Sequence, residues 1–251
     1  METQQLRTML SIEKSDFSQI PMKSHPKRRQ ISDYLHKLTD DERVSDDIFA
    51  LAMNLFDRFI AKRTSFQSDD RSLKRIALCC YHISKKLRTN IVNNKENDQL
   101  SSVFSKENYD DEEIFDTEKM ICNVLDWDLA AVVPHDYIQH FLPFENQIQI
   151  RSHVHILLSI AICELNTLTI LPSLLTCACI KAAMNGLSLK NFHHIDEFIF
   201  QTIGCKKIEL LQTQCMIEDF LQSCIQTLKQ TPRRRCLAPI ETSPQQRTRV
   251  K

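Results

Sequence analysis

The sequence predicts an all-α protein built from two consecutive sets of five helices. Apolar residues recur every three to four positions in most segments, which is the spacing that places them on one face of a helix. The 251 residues include only two glycines, Gly186 and Gly204, fewer than a phosphate-binding loop fold or a hairpin-rich β fold needs. The apolar connector at residues 127–133 is too short to form a sheet of its own.

The composition is that of an ordinary globular protein, with 42% hydrophobic and 25% charged residues. Lysines and arginines number 32, as do aspartates and glutamates, so the balance weighs against a DNA-binding face across the chain. The sequence contains no apparent signal peptide or membrane span. We therefore expect a reducing location, the nucleus and cytoplasm, where the ten cysteines stay reduced and mostly lie in the core.

The first set of helices follows a short N-terminal helix at residues 4–14 and a polar linker. The helices that we expect in this set are residues 26–38, 48–60, 73–87, a short piece at 100–104, and 110–125. Pro26 suits the first turn of a helix, and Ser45 to Asp47 form an N-cap cluster before the next one. The acidic residues 110–113 lie at the start of the helix at 110–125, where negative charge interacts favourably with the positive end of the helix dipole.

The second set begins directly after the apolar connector. The helices that we expect in this set are residues 134–141, 148–165, 172–186, 194–203 and 206–229. Pro172 marks a helix start, and Gly186 is placed where a C-terminal cap is expected. Residues 230–251 are rich in proline, arginine and glutamine without helical periodicity, which is typical of a disordered tail.

The helix at residues 48–60 is apolar on nearly all sides, which is typical of a buried helix. Yet this helix contains Asp57 within the apolar run. A buried carboxylate is costly unless a cation pairs with it. The sequence therefore predicts a cationic partner for Asp57 from elsewhere in the fold.

Several segments resemble one protein family. The sequence Leu-Ala-Met-Asn-Leu-Phe-Asp-Arg-Phe at residues 51–59 resembles the second helix of a cyclin box, above all in D-type cyclins. The stretch from Trp127 to Leu142 is similar to the junction between the two boxes of D-type cyclins and is the most type-specific match. Further segments that fit, in the order that the family has them, are residues 6–10, 171–173, 182–187 and 211–221.

This resemblance to the cyclin family implies an all-α fold with two tandem five-helix cyclin boxes. The parts that it implies are an N-terminal helix and linker at 1–24, a first box at 25–133, a second box at 134–229, and a regulatory tail at 230–251. In the tail, Thr231 and Ser243 each precede a proline, and D-type cyclins resemble this in carrying a Thr/Ser-Pro site that marks them for degradation. The alternative is that these two Thr/Ser-Pro pairs occur by chance and have no regulatory role.

The resemblance also implies a regulatory subunit rather than an enzyme, with no cofactor. A cyclin docks against the kinase helix that carries a catalytic glutamate and so activates a cyclin-dependent serine/threonine kinase. The implied partner is a cyclin-dependent kinase of the D-cyclin-dependent class, acting early in the cell cycle, with kinase inhibitors and retinoblastoma-type substrates as further candidates. No membrane or direct nucleic-acid partner is expected. Short cyclins of gamma-herpesviruses have a comparable length, so cellular and viral origins both stay open.

Family roles can be carried over to individual positions. The cyclin-box arginine that pairs with the aspartate of the second helix corresponds to Arg28. The resemblance thus implies that Arg28 is the cationic partner of Asp57. The polar kinase contacts of the family fall on Lys86 and Glu118. A shift of the alignment by one residue gives Lys85 in place of Lys86.

The substrate-docking patch of cyclins, which receives Arg-x-Leu peptides, corresponds to four positions of the first helix of the box. These positions are Lys27, Gln30, Ile31 and Tyr34. Lys27 and Gln30 replace apolar residues, whereas Ile31 and Tyr34 keep part of the apolar surface. We therefore expect a weakened patch.

Two alternative functions stay open: a transcription-type cyclin, and a cyclin-box scaffold that has lost kinase activation. The second is motivated by Thr89, which stands where the family usually has a glutamate. The pairs His135–Asp136 and His193–His194 suggest catalysis or metal binding, but no third ligand joins either pair on one helix face. We therefore expect no metal and no catalytic residue.

Overall fold

The protein is described by a computed structural model. The residues that it describes are 2–17, 24–63, 69–89, 103–105, 107–142, 148–188 and 193–230. These residues form helices and connecting turns and contain no β-strand, which confirms the all-α prediction for the described part of the chain. None of the described helices combines the length and the apolar character that crossing a bilayer requires.

The helices before the connector follow the predicted order. They are α1 (Glu2–Phe17), α2 (Arg28–Glu42), α3 (Asp46–Lys62), α4 (Asp70–Arg88) and α5 (Asp111–Val124), with residues 103–105 also helical. Asp69 caps α4 by accepting a hydrogen bond from the Ser72 amide. Asp110 and Glu113 form a capping box at the start of α5, so side chains fix both helix starts.

The described residues of the second half form α-helices and two 3-10 turns. The elements are a 3-10 turn (Pro134–Tyr137), α6 (Ile138–Phe141), α7 (Ile148–Cys163), a second 3-10 turn (Leu165–Thr169), α8 (Pro172–Gly186), α9 (His193–Ile203) and α10 (Lys207–Gln230). The predicted helix at residues 172–186 has the bounds that the structure shows. The predicted disordered tail was residues 230–251, but Gln230 is the last residue of α10, and residues 231–251 lie outside the described part of the chain.

Several predicted helix ends differ from the structure. Pro26 lies in a turn before α2, closed by a 2.9 Å hydrogen bond from the Arg28 amide to the His25 carbonyl. The segment at 134–141 starts as a 3-10 turn, and α7 stops before Leu165. Gly186 is the last residue of α8 rather than its left-handed cap, because the positive φ of 54° occurs at Ser188.

Each half of the chain has its own hydrophobic core. The first core surrounds α3, whose Phe49, Phe56 and Phe59 have no exposed surface. The second core surrounds α8, and α1 contributes Leu6 and Met9 to it although α1 comes first in the sequence. The N-terminal helix therefore packs against the second half of the protein.

The buried carboxylate of Glu13 fixes this packing of α1. Its two oxygens accept hydrogen bonds from the Ser173 hydroxyl at 2.6 Å and the Ser173 amide at 2.9 Å. Burial raises the pKa of Glu13, although the bonds from Ser173 oppose that rise. Ser173 lies in the first turn of α8, where amides lack partners within the helix, so Glu13 caps a helix of the second half.

The cysteines of the described chain are free thiols, as the sequence predicts. Six of them are buried, namely Cys79, Cys80, Cys122, Cys163, Cys177 and Cys179. Cys205 and Cys224 are half-buried and Cys215 is exposed, so the expectation of core burial does not extend to these positions.

Candidate functional site

Arg28 and Asp57 form a buried ion pair between α2 and α3. Arg28 Nε lies 2.8 Å from Asp57 Oδ1, and Arg28 Nη2 lies 2.9 Å from Asp57 Oδ2. Only 5% of the Arg28 side chain and 9% of the Asp57 side chain are exposed. Burial raises the pKa of the Asp57 carboxyl, and the charge and hydrogen bonds of Arg28 oppose this rise. The structure thus brings together the two residues that the resemblance had paired.

Arg28 also binds the second half of the protein. Its Nη1 donates to the Cys163 carbonyl at 3.1 Å, and its Nη2 donates to the Ile162 carbonyl at 3.0 Å. These carbonyls belong to the last turn of α7, where they lack partners within the helix. A cation is favourable there because the helix dipole places partial negative charge at this end. Arg28 therefore holds three helices in one arrangement.

A second ion-pair cluster joins the end of α4 to the junction. Arg88 Nη1 lies 2.5 Å from Asp136 Oδ1, and the same nitrogen lies 3.6 Å from Asp47 Oδ2. Asp136 also accepts a hydrogen bond from the Val133 amide at 2.9 Å, which caps the first 3-10 turn. The orientation of α4 is thereby tied to the second half of the chain.

Lys86 and Glu118 meet on the surface formed by α4 and α5. Lys86 Nζ lies 3.0 and 2.9 Å from the two carboxylate oxygens of Glu118, and His82 Nδ1 lies 2.7 Å from Glu118 Oε1. Partial burial disfavours ionisation of Glu118, but hydrogen bonds from His82 and Lys86 hold its pKa below the ordinary value. Lys86 is 47% exposed and Glu118 is 16% exposed, so a partner protein can reach the lysine directly.

Lys85 points to the interior. Its Nζ lies 2.9 Å from Glu42 Oε2, and the exposed fractions of the two side chains are 7% and 6%. The Tyr81 hydroxyl donates to the same carboxylate oxygen at 3.0 Å. The structure therefore separates the two lysines that the alignment left open, and it leaves Lys86 as the accessible one.

Apolar side chains lie exposed on both helices that carry the Lys86–Glu118 pair. Leu87 follows Lys86 directly and is 49% exposed, and Phe115 precedes Glu118 by three residues and is 64% exposed. Residues three positions apart share a helix face, so Phe115 is a neighbour of Glu118 on α5. Exposed apolar groups beside a few charged ones are typical of a protein-binding surface.

The four residues of the predicted docking patch are distributed between surface and core. Lys27 forms an ion pair with Asp70, and Gln30 is exposed. Ile31 is buried in the first core and offers little surface to a ligand. Tyr34 is half-buried beneath Lys74, whose Nζ lies 4.4 Å from the ring centroid. The patch therefore has a charged rim and little free apolar surface.

The predicted phosphorylation sites Thr231 and Ser243 lie outside the described residues. Their role stays a prediction.

Sequence reasoning missed the contacts of Glu42 with Lys85 and Tyr81. One signal for the burial of Lys85 was present, because Lys85 follows the apolar residues Leu78 and Tyr81 at helical spacing, and both are buried. The acidic partner comes from the end of α2, a distance of 43 residues along the chain, and no local pattern points to it.

Two family models match the chain. The model described as cyclin, N-terminal domain, matches residues 1–130, and the model described as cyclin, C-terminal domain, matches residues 132–239. The two matched ranges meet inside the apolar connector between the two halves.

The proteins that resemble this chain in sequence or in structure are cyclins by name. The chain is 26% identical to G1/S-specific cyclin-D1 of Homo sapiens, over 81% of this chain and 70% of the relative. It is 26% identical to G1/S-specific cyclin-D1 of Xenopus laevis, over 90% of this chain and 81% of the relative. A viral cyclin from herpesvirus saimiri matches in structure with a TM-score of 0.69 at 17% identity, covering 85% of this chain and 96% of that chain, which supports the fold alone. Because the family models extend over both halves, the chain belongs to the cyclin family and resembles the D type.

Proposed function

We propose that this cyclin binds and activates a cyclin-dependent kinase of the class that D-type cyclins serve. Membership of the cyclin family supports a regulatory role, and the similarity to cyclin-D1 supports the D-type class. The observation that carries the proposal is the accessible Lys86–Glu118 pair with exposed Leu87 and Phe115 beside it. This surface is the one that would contact the kinase.

The proposed mechanism is conformational. The cyclin docks against the kinase helix that carries a catalytic glutamate and moves it towards the catalytic lysine of the kinase, which stabilises the active conformation. Preorganisation of the docking surface favours this step because fewer side chains must be ordered on binding. His82 and Lys86 already hold Glu118 in place in the free protein.

The proposed setting follows from the same similarity. The kinase complex would act early in the cell cycle, in the nucleus and cytoplasm, on retinoblastoma-type substrates and under the control of kinase inhibitors. The cyclin chain itself would supply no catalytic group. A scaffold role without activation is the second candidate, favoured by Thr89, whose hydroxyl bonds to the Lys85 carbonyl and closes α4 instead of offering a carboxylate.

Activation in trans tests the proposal. Mixing the purified chain with a D-cyclin-dependent kinase subunit should give serine/threonine kinase activity towards a retinoblastoma-type substrate. The chain alone and the kinase subunit alone are the controls, and both should be inactive. Co-purification without activity would favour the scaffold role, and failure to co-purify would contradict kinase binding.

A weakened docking patch gives a second expected result. We expect the chain to bind an Arg-x-Leu peptide at least about tenfold more weakly than a cyclin with an apolar patch, a difference of about 1.4 kcal/mol. The reason is that Lys27 and Gln30 place polar groups where the peptide leucine needs apolar contact, and Lys27 also repels the peptide arginine.

Restoring the apolar residues tests this expectation by isothermal titration. The double variant Lys27→Met, Gln30→Ile should recover the lost affinity, and the two changes should couple because the positions are neighbours. Lys62→Met is a matched control. Lys62, the last residue of α3, is also a partly exposed lysine in an ion pair, with Asp126, but it lies outside the patch. Equal affinities for the native and restored chains would show that the patch is not the peptide site.

A further inference from the structure

Three side chains with metal-binding atoms converge where the two halves of the protein meet. Asp46 comes from the first turn of α3, His135 from the first 3-10 turn, and His155 from α7. One ligand atom of each residue lies within 4.8 Å of the others. His155 Nδ1 is 3.3 Å from Asp46 Oδ2, and the ring centroids of His135 and His155 are 5.3 Å apart.

His135 is buried without a polar partner. The residue is only 8% exposed. Within the described part of the chain, neither nitrogen of its ring has a hydrogen-bond partner. Buried polar groups are normally satisfied, so an orphaned imidazole calls for an explanation such as an ion.

We propose that Asp46, His135 and His155 bind one divalent transition-metal ion of the zinc type, with water completing the coordination. Two imidazole nitrogens and one carboxylate oxygen form a donor set that such ions accept, whereas magnesium and calcium prefer oxygen alone. Ligand atoms around a tetrahedral zinc are about 3.3–3.5 Å apart. The distance of 3.3 Å between His155 Nδ1 and Asp46 Oδ2 already fits, and the His135 nitrogen, within 4.8 Å of both, would move closer when the ion binds.

The charges around the cluster favour a cation. The Asp46 carboxylate lies beside His155, with Oδ2 at 3.3 Å from His155 Nδ1. Asp47 and Asp136 also act on His135, and both pair with Arg88, while His36 faces Asp46 from α2. With the histidines counted as neutral, the three carboxylates of Asp46, Asp47 and Asp136 outnumber the one arginine, Arg88.

The bound ion would tie the two halves together. Asp46 belongs to the first half, and the two histidines belong to the second, so the complete ligand set exists only in the folded two-box arrangement. An ion that binds the folded state alone stabilises it by mass action. We therefore expect zinc to raise the melting temperature of the whole chain, independently of any kinase.

Zinc binding to the full-length chain tests the site. Titration calorimetry of the metal-free protein should show one high-affinity zinc ion per chain and a matching rise in melting temperature, with magnesium producing neither. Asp46→Asn and His155→Gln should each weaken zinc binding at least about tenfold, because changes outside the first coordination shell already cost 10- to 100-fold. His153→Gln is the matched control, since His153 is an exposed histidine two residues away on α7.

Cobalt substitution separates this site from binding to thiols such as the exposed Cys215. Cobalt bound by Asp46, His135 and His155 should show ligand-field absorption without thiolate charge-transfer bands, and this spectrum should disappear in the His155→Gln variant. Thiolate bands, unchanged zinc affinity in Asp46→Asn and His155→Gln, or the absence of zinc binding at micromolar concentration would each overturn the proposal.

Discussion

Replacement of Asp57 by alanine should lower the free energy of unfolding by about 3–5 kcal/mol, because it leaves the charge of a buried arginine without its counterion. Among the described residues, Arg28 would keep only the carbonyl oxygens of Ile162 and Cys163 as partners. Arg28→Ala should be destabilising by a similar amount, since it leaves both the Asp57 carboxylate and the end of α7 unsatisfied. Thermal and urea unfolding followed by circular dichroism measure both changes.

Asp33→Ala is the matched control for the buried pair. Asp33 pairs with Arg29 on the exposed side of the same helix, at a distance of 3.0 Å, and both side chains are at least half exposed. Pairs of this kind contribute about 0.3–0.5 kcal/mol. If Asp57→Ala shifted the unfolding transition no more than Asp33→Ala does, the ion pair would not hold the boxes together.

Reversal of the charge at Lys86 or Glu118 should weaken the complex with the kinase by about 2–5 kcal/mol if the kinase buries the pair. Lys86→Glu places two carboxylates side by side, and Glu118→Lys brings a cation next to Lys86 and His82. Each variant both repels its neighbour and presents the wrong charge to the kinase. Surface plasmon resonance with an immobilised kinase subunit gives the dissociation constants directly.

Lys119→Glu is the control for Lys86→Glu, because it makes the same change of charge at an exposed position of α5 next to Glu118. Its effect on kinase affinity should be less than about 1 kcal/mol. A thermal melt of each variant separates loss of folding from loss of binding. Unchanged kinase affinity in both Lys86→Glu and Glu118→Lys would move the interface elsewhere on the cyclin.

The sequence predicted most helices because their signals are local. Periodicity placed the apolar face of α3, and Pro172 marked the start of α8. The errors occurred at helix ends, and the end after Cys163 is one where a distant group takes part. The last carbonyls of α7 bond to Arg28, which lies 134 and 135 residues away along the chain. A pattern within one segment carries no signal of such a partner.

The candidate site was predictable to a different degree at each position. The apolar surroundings of Asp57 required a cationic partner, and similarity to the cyclin family named Arg28, Lys86 and Glu118. The sequence alone could not decide between Lys85 and Lys86, because the answer depends on Glu42, which forms a buried ion pair with Lys85. Likewise, no local pattern pointed to further ligands for His135, because Asp46 and His155 come from two other elements.

The sequence by itself therefore determined the all-α class, the tandem arrangement and the need to pair Asp57. Backbone hydrogen bonds and apolar periodicity act over three to four residues, so they can be recognised without the fold. The tertiary structure alone decided that α1 packs on the second half, that Lys85 turns inward, and that Asp46, His135 and His155 meet. These contacts join residues that are far apart in sequence, and only the packing of the two cores brings them within reach of one another.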